Sequence, residues 1–209
     1  KVTAPRIEVT HDLVSTDARD RIDHAHGQSF PDWVDMRCGT MRRFPDAVAY
    51  PTSESQVEDV CDFAEKHRMM VIPYGGGTSV VGHLDVPASE APVLSLSLQR
   101  LNQLIDFEPE NRLATFGAGV AGPDLEAALK SKGYTLGHYP QSFDYSTLGG
   151  WVVTRSSGQQ SIYYGRIEDI FAGGRAVTPR GSIYFPPYPA SAAGPDLRQI
   201  FLGSEGRLG

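Results

Sequence analysis

The sequence has only two cysteines in 209 residues, Cys38 and Cys61, far apart and without C-x-x-C spacing. That excludes a disulfide scaffold and a thiolate metal site, and the two are read as free thiols in a reducing compartment. Six histidines are scattered along the chain. His24 and His26 sit two apart, which suits neither one helix face nor a zinc pattern, so no metal is expected. No apolar run approaches the length of a membrane span. The start, Lys1-Val2-Thr3-Ala4-Pro5, lacks a signal-peptide core, and the expectation is a cytoplasmic protein. An excess of basic charge is also missing: the formal net charge is -6, which argues against nucleic acid or an acidic membrane as partner. Two phosphate motifs are absent as well. Gly77 and Gly82 have P-loop spacing, but His83-Leu84 stands where Lys-Ser/Thr is required, and Val80 stands where a G-x-G-x-x-G fingerprint needs glycine.

What is present is an ordinary globular composition, 40% hydrophobic and 21% charged, in a chain long enough for one or two small domains. Its most informative segment is Gly75-Gly76-Gly77-Thr78-Ser79, which follows the apolar run Met69–Pro73. Consecutive glycines adopt positive φ without steric cost and let several backbone N–H groups face one anion. Thr78 and Ser79 add hydroxyl donors. Two readings stay open on these residues alone, a phosphate or pyrophosphate cradle and a flexible turn between strands.

Along the chain, Ser15–Gly27 reads as a helix capped by Ser15 or Thr16. Asp46–Tyr50 reads as a strand, Ser53 with Gln56 as a capping box, and Val57, Val60, Cys61 and Ala64 as one apolar helix face. With the strand Met69–Pro73 this makes a βαβ unit whose strands run parallel. Val93–Leu98, Leu101–Phe107 and Arg112–Phe116 are further strand candidates. Gly122-Pro123-Asp124 opens a helix that Gly133 ends. Ile167–Val177 and Ser182–Phe185 are expected to pair across a turn at 178–181, and Pro195–Leu202 to form a last short helix. Residues 1–45 read as a helical lead-in, 46–90 as a first subdomain and 91–209 as a second. The glycine-punctuated end, Gly203–Gly209, looks like a loop entering a strand.

Six segments in order carry a resemblance: Pro73-Tyr74-Gly75-Gly76-Gly77-Thr78-Ser79; Gln141-Ser142-Phe143-Asp144-Tyr145-Ser146-Thr147-Leu148-Gly149-Gly150-Trp151; Thr154-Arg155-Ser156-Ser157-Gly158; Tyr164–Asp169; Gly194-Pro195-Asp196; and Gly203-Ser204-Glu205-Gly206. The sequence resembles the FAD-binding domain of the vanillyl-alcohol oxidase and p-cresol methylhydroxylase type, and within it the alkylglycerone-phosphate synthases. The resemblance implies an α+β fold in two halves, a small βαβ half and a larger, mainly antiparallel half with helices.

It places Pro73–Ser79 on the FAD pyrophosphate, Gln141–Thr147 and Thr154–Ser157 near the flavin and its ribityl-phosphate arm, and Gly203–Gly206 over the cofactor. Gly149 and Gly150 would allow close backbone approach. Some relatives tether flavin through a histidine near the pyrophosphate loop. Thr78 and Ser79 hold that stretch here, so FAD is expected to be non-covalent. The serine and threonine hydroxyls are open to a second reading as turn caps. Arg155 is either a flavin or phosphate partner or a structural arginine, and His138 either a structural or a catalytic residue.

The implied activity is exchange of the acyl chain of acyl-dihydroxyacetone phosphate for a fatty alcohol, with a small-molecule or lipid-like substrate as partner. The acid–base residues are expected in a C-terminal cap domain, so no catalytic residue is named. Two alternatives remain: an FAD-linked oxidase or dehydrogenase of a 2-hydroxy acid such as D-lactate, and a flavin-binding module inactive by itself. A homodimer is left open.

Overall fold

The computed structural model describes residues 2–8 and 10–209. Lys1, part of the start considered above, lies outside them. The chain divides into two compact units, Lys1–Arg100 and Leu101–Gly209.

In the first unit the elements are β1 (Val14–Ser15), α1 (Ala18–Asp23), α2 (Phe30–Cys38), β2 (Ala47–Ala49), α3 (Glu54–Lys66), β3 (Met70–Tyr74) and β4 (Val93–Ser97). They build a four-stranded sheet in the order β1-β2-β4-β3. β2 and β3 both run parallel to β4, in registers Ala47↔Leu94 and Met70↔Val93. The two strands of the expected βαβ unit are therefore parallel but not adjacent. The reason is burial: every residue of β4 is buried, and a strand with no exposed face belongs in the middle of a sheet. The same strand corrects the division near residue 90. β4 completes the first sheet, so the boundary falls after Arg100. Residues 1–45 are no separate lead-in either, because β1 pairs antiparallel with β2.

α3 is capped by Ser53, whose side chain accepts from Gln56 N at 3.3 Å. The Gln56 side chain reaches past it to Thr52 N at 2.8 Å, so the box is displaced by one residue. Val57, Val60 and Ala64 are buried, while Cys61 is half-buried. α1 is shorter than expected, because Asp17 caps it by accepting from Arg19 N at 2.7 Å. α2 was not foreseen; Ser29 and Asp32 form its capping box, and Gly39 ends it at φ 65°. Behind the sheet, buried Asp46 accepts from Val93 N at 2.8 Å and pairs with the Arg6 guanidinium at 2.7 Å. Burial alone would raise the Asp46 pKa, but these hydrogen bonds hold it below the usual carboxylate range.

The second unit carries β5 (Leu104–Glu108), β6 (Leu113–Phe116), α4 (Gly122–Lys130), α5 (Leu148–Thr154), α6 (Ser161–Tyr164), α7 (Ile167–Ile170), β7 (Gly174–Thr178), β8 (Gly181–Phe185) and α8 (Arg198–Phe201). The antiparallel pairing lies in two separate ladders, β5 with β6 and β7 with β8. Ile167–Ile170 is a helical turn rather than the start of a strand, because the Asp169 carboxylate accepts from Arg166 N at 2.9 Å and caps it. The core is Val120, Leu125, Leu129, Trp151 and Ile167. Among the described residues no helix is long and apolar enough to cross a membrane.

Candidate functional site

The glycine turn leaves β3 at Tyr74, whose carbonyl accepts from Leu98 N at 2.9 Å. The carbonyls at the two ends of the turn are tied: Gly75 O accepts from Gln99 Nε2 at 3.0 Å, and Ser79 O from Gln28 N at 2.6 Å. The Tyr74 ring folds back under the turn, and its hydroxyl donates to Asp23 O at 3.0 Å. Gly77 has φ 68°, and a Cβ there would lie 2.1 Å from that hydroxyl oxygen. Burial pushes the Tyr74 phenol up to about 12, so it stays a neutral donor.

Among the described residues none of the backbone N–H groups from Gly75 to Val80 donates to a protein acceptor. Backbone N–H groups inside folded chains are nearly always paired. A row of donors without protein partners, set between two anchored carbonyls, can serve an anion such as a diphosphate. Thr78 adds a hydroxyl without a protein partner among the described residues. Ser79 Oγ is occupied by His83 Nδ1 at 3.1 Å and by Val81 N at 3.4 Å.

In the second unit the hydroxyl-rich segments divide. Ser146 Oγ donates to Ser142 O at 2.8 Å and accepts from Trp151 Nε1 at 2.7 Å. Thr147 caps α5 by accepting from Gly150 N at 3.4 Å, and Thr154 Oγ1 donates back to Gly150 O at 2.8 Å. These three hydroxyls serve as caps and packing braces. Gly149 is close-packed against Ala118, where a Cβ would come within 2.8 Å. Phe143 stacks on Trp151 and fills the space over Gly122. Gln141, Asp144 and Tyr145 are exposed.

The Arg155 side chain is bonded within its own chain. Its Nε donates to Leu202 O at 2.9 Å, and a terminal nitrogen bonds the Gln199 side chain at 2.9 Å. It fastens the glycine-punctuated segment, whose Glu205 N donates to Val153 O at 2.8 Å and whose Gly203 leaves room for the Arg155 side chain. Gly206 continues that segment at φ 74°. The structure thus brings Thr154–Ser157 and Gly203–Gly206 together around the end of α5. Ser156 meets His138, 2.9 Å from Oγ to Nε2. Ser157 Oγ has no protein partner among the described residues, and Ser204 Oγ is buried without one.

Glu126 was missed in the sequence. It is 3% exposed, and its carboxylate accepts from Thr135 Oγ1, Leu136 N and Gly137 N at 2.8, 3.0 and 3.1 Å. Only its place beside Leu125 on α4 hinted at this.

Known proteins match the whole arrangement. The sequence model of a family described as FAD binding domain matches residues 45–185. The chain is 41% identical over 197 residues to alkyldihydroxyacetonephosphate synthase of Caenorhabditis elegans, covering 93% of this chain and 33% of that protein. It is also 41% identical over 165 residues to the uncharacterized FAD-linked oxidoreductase YgcU of Escherichia coli strain K12, covering 78% of this chain and 34% of that protein. A solved structure of alkyldihydroxyacetonephosphate synthase superposes with a TM-score of 0.91 at 35% identity, covering 99% of this chain and 39% of that one. The chain spans about a third of the length of the curated relatives it matches.

Proposed function

The chain belongs to the FAD binding domain family, and on that premise we propose that it holds FAD non-covalently, as the cofactor-binding part of an enzyme resembling alkylglycerone-phosphate synthase. The observation that carries this is the row of unpaired amides from Gly75 to Val80. In this reading those amides and the Thr78 hydroxyl donate to the diphosphate. Charge-assisted hydrogen bonds of this kind are worth about 1.5–3 kcal/mol each. Tyr74 packs against Gly77, and Gln99 and Gln28 hold the Gly75 and Ser79 carbonyls, so the turn is braced before the ligand arrives. Ser156 and Ser157 supply hydroxyls to the flavin end, and Arg155 keeps Gly203–Gly206 in place rather than touching the cofactor. When bound, FAD supplies the electrophilic and redox chemistry of its ring.

The proposed overall reaction exchanges the acyl group of acyl-dihydroxyacetone phosphate for a fatty alcohol, with no net oxidation. A second reading is oxidation of a 2-hydroxy acid such as D-lactate; the equal identity to an FAD-linked oxidoreductase supports an oxidation without naming its substrate. Two assays on FAD-loaded protein separate them. Incorporation of labelled fatty alcohol with the flavin left oxidised supports the exchange. Lasting anaerobic bleaching by a 2-hydroxy acid supports the oxidation. The chain by itself is expected to retain FAD weakly and do neither. Turnover by the chain alone would contradict that. Acid precipitation of the loaded chain should leave all the flavin in solution; flavin in the pellet would contradict non-covalent binding.

A further inference from the structure

Resting on that reading, we propose that His138 is a positioning residue, which fixes the Ser156 hydroxyl as a hydrogen-bond donor toward an acceptor oxygen or nitrogen of the cofactor. The position of His138 is set from behind. The Glu126 carboxylate fixes the amides of Leu136 and Gly137. Gly137, at φ 76°, sits where a Cβ would lie 2.5 Å from the Tyr164 ring. The imidazole is carried into the interior at 1% exposure, edge-on to Trp151 with ring centroids 5.0 Å apart. Burial lowers its pKa, so the ring is neutral and carries one proton.

That proton has two places to sit. Nε2 lies 2.9 Å from Ser156 Oγ, while Nδ1 is buried without a partner among the described residues. With the proton on Nδ1, a buried N–H would have no acceptor, and an orphaned buried donor is rarer than an orphaned acceptor. With the proton on Nε2, the N–H is used and only a lone pair is left over. The ring therefore donates from Nε2, and Ser156 Oγ accepts. The Ser156 backbone cannot turn away, since its N donates to Trp151 O at 3.0 Å and its O accepts from Ile167 N at 3.2 Å. The hydroxyl hydrogen finds no protein acceptor among the described residues. That hydrogen is directed away from His138 and is left to donate to a carbonyl, ring nitrogen or phosphate oxygen of the cofactor.

Long-range ¹⁵N–¹H correlation on the histidines of the FAD-free chain reads the tautomer directly. The expected result is a proton on Nε2 of His138; a proton on Nδ1 overturns the proposal, whatever the chain binds. FAD titration tests the second half. Ser156→Ala should weaken FAD on the order of tenfold. His138→Phe, which keeps a ring against Trp151 without a donor, should weaken it similarly, and the double variant no further. His138→Gln retains an N–H donor and should recover most of the affinity. Additive losses, or a Gln variant as weak as the Phe variant in a chain with unchanged melting, would make His138 merely structural. If the Phe variant does not fold, Ser156→Ala and the tautomer decide. Absence of FAD binding by the wild-type chain would sink the functional reading, and the tautomer would stand apart from it.

Discussion

Gly77 is constrained twice, by its left-handed backbone at φ 68° and by the Tyr74 hydroxyl that occupies the place of a side chain. The first constraint alone costs a non-glycine residue roughly 1–2 kcal/mol. Gly77→Ala is therefore expected to lower stability by at least that much in denaturant titration and to weaken FAD tenfold or more. An alanine variant of unchanged affinity would mean that the turn does not hold the diphosphate. A second residue-scale expectation concerns Asp85, which shares a hydrogen-bonded site with buried Asp32. Burial and the Asp32 carboxylate push the Asp85 carboxyl up to about 6. Its folded pKa is thus above the unfolded value of about 3.9. The folded state binds more protons in that window, so stability falls as pH rises from about 4 to about 6. Asp85→Asn should melt higher than wild type at pH 7, and the difference should vanish near pH 4. A difference independent of pH would contradict the shared site. The sequence did not disclose such pairs. Asp32 with Asp85, Asp46 with Arg6 and Glu126 with residues 135–137 are contacts between segments, and no local pattern marks them. His24, noted in the sequence only for lacking a zinc pattern, is packed against the Tyr50 and Tyr74 rings for the same reason.

Elements were legible where one segment decides its own fate. Ser53 capping α3, the periodic face Val57–Val60–Ala64 and the Gly122-Pro123 start of α4 all act within a few residues. Local chemistry was misread where two signals competed. The apolar run from Ile167 suggested a strand, but the Asp169 cap closed it into a helical turn. Gly149 and Gly150 were expected only to allow close backbone approach, and the helix that Thr147 caps over them, α5, was not foreseen. At this scale the structural role of Arg155 is open to test. Arg155→Gln removes its bond to Leu202 O, and faster amide exchange at Gly203 and Glu205 is expected, with the β5–β6 amides unchanged. Exchange unaltered at those two positions would show that the segment is held by other contacts.

The first unit is a four-stranded sheet centred on a fully buried strand, and the second is a helical core flanked by two hairpins. Strand order in the first unit could not be read from the sequence, because the place of β4 depends on what covers both its faces rather than on its spacing. The family was legible from six ordered segments, since together they constrain the whole chain. The roles of their individual residues were less so. Ser146, Thr147, Thr154 and Arg155 bond their own chain, whereas the amides of Gly75–Val80 bond nothing among its described residues. The central claim is that these amides bind a diphosphate, and the most direct test is calorimetric titration of the chain with FAD and, side by side, with riboflavin, which lacks the diphosphate. The account predicts saturation at one FAD per chain, competition by ADP and riboflavin at least tenfold weaker; riboflavin binding as well as FAD, or no FAD binding at all, would contradict it.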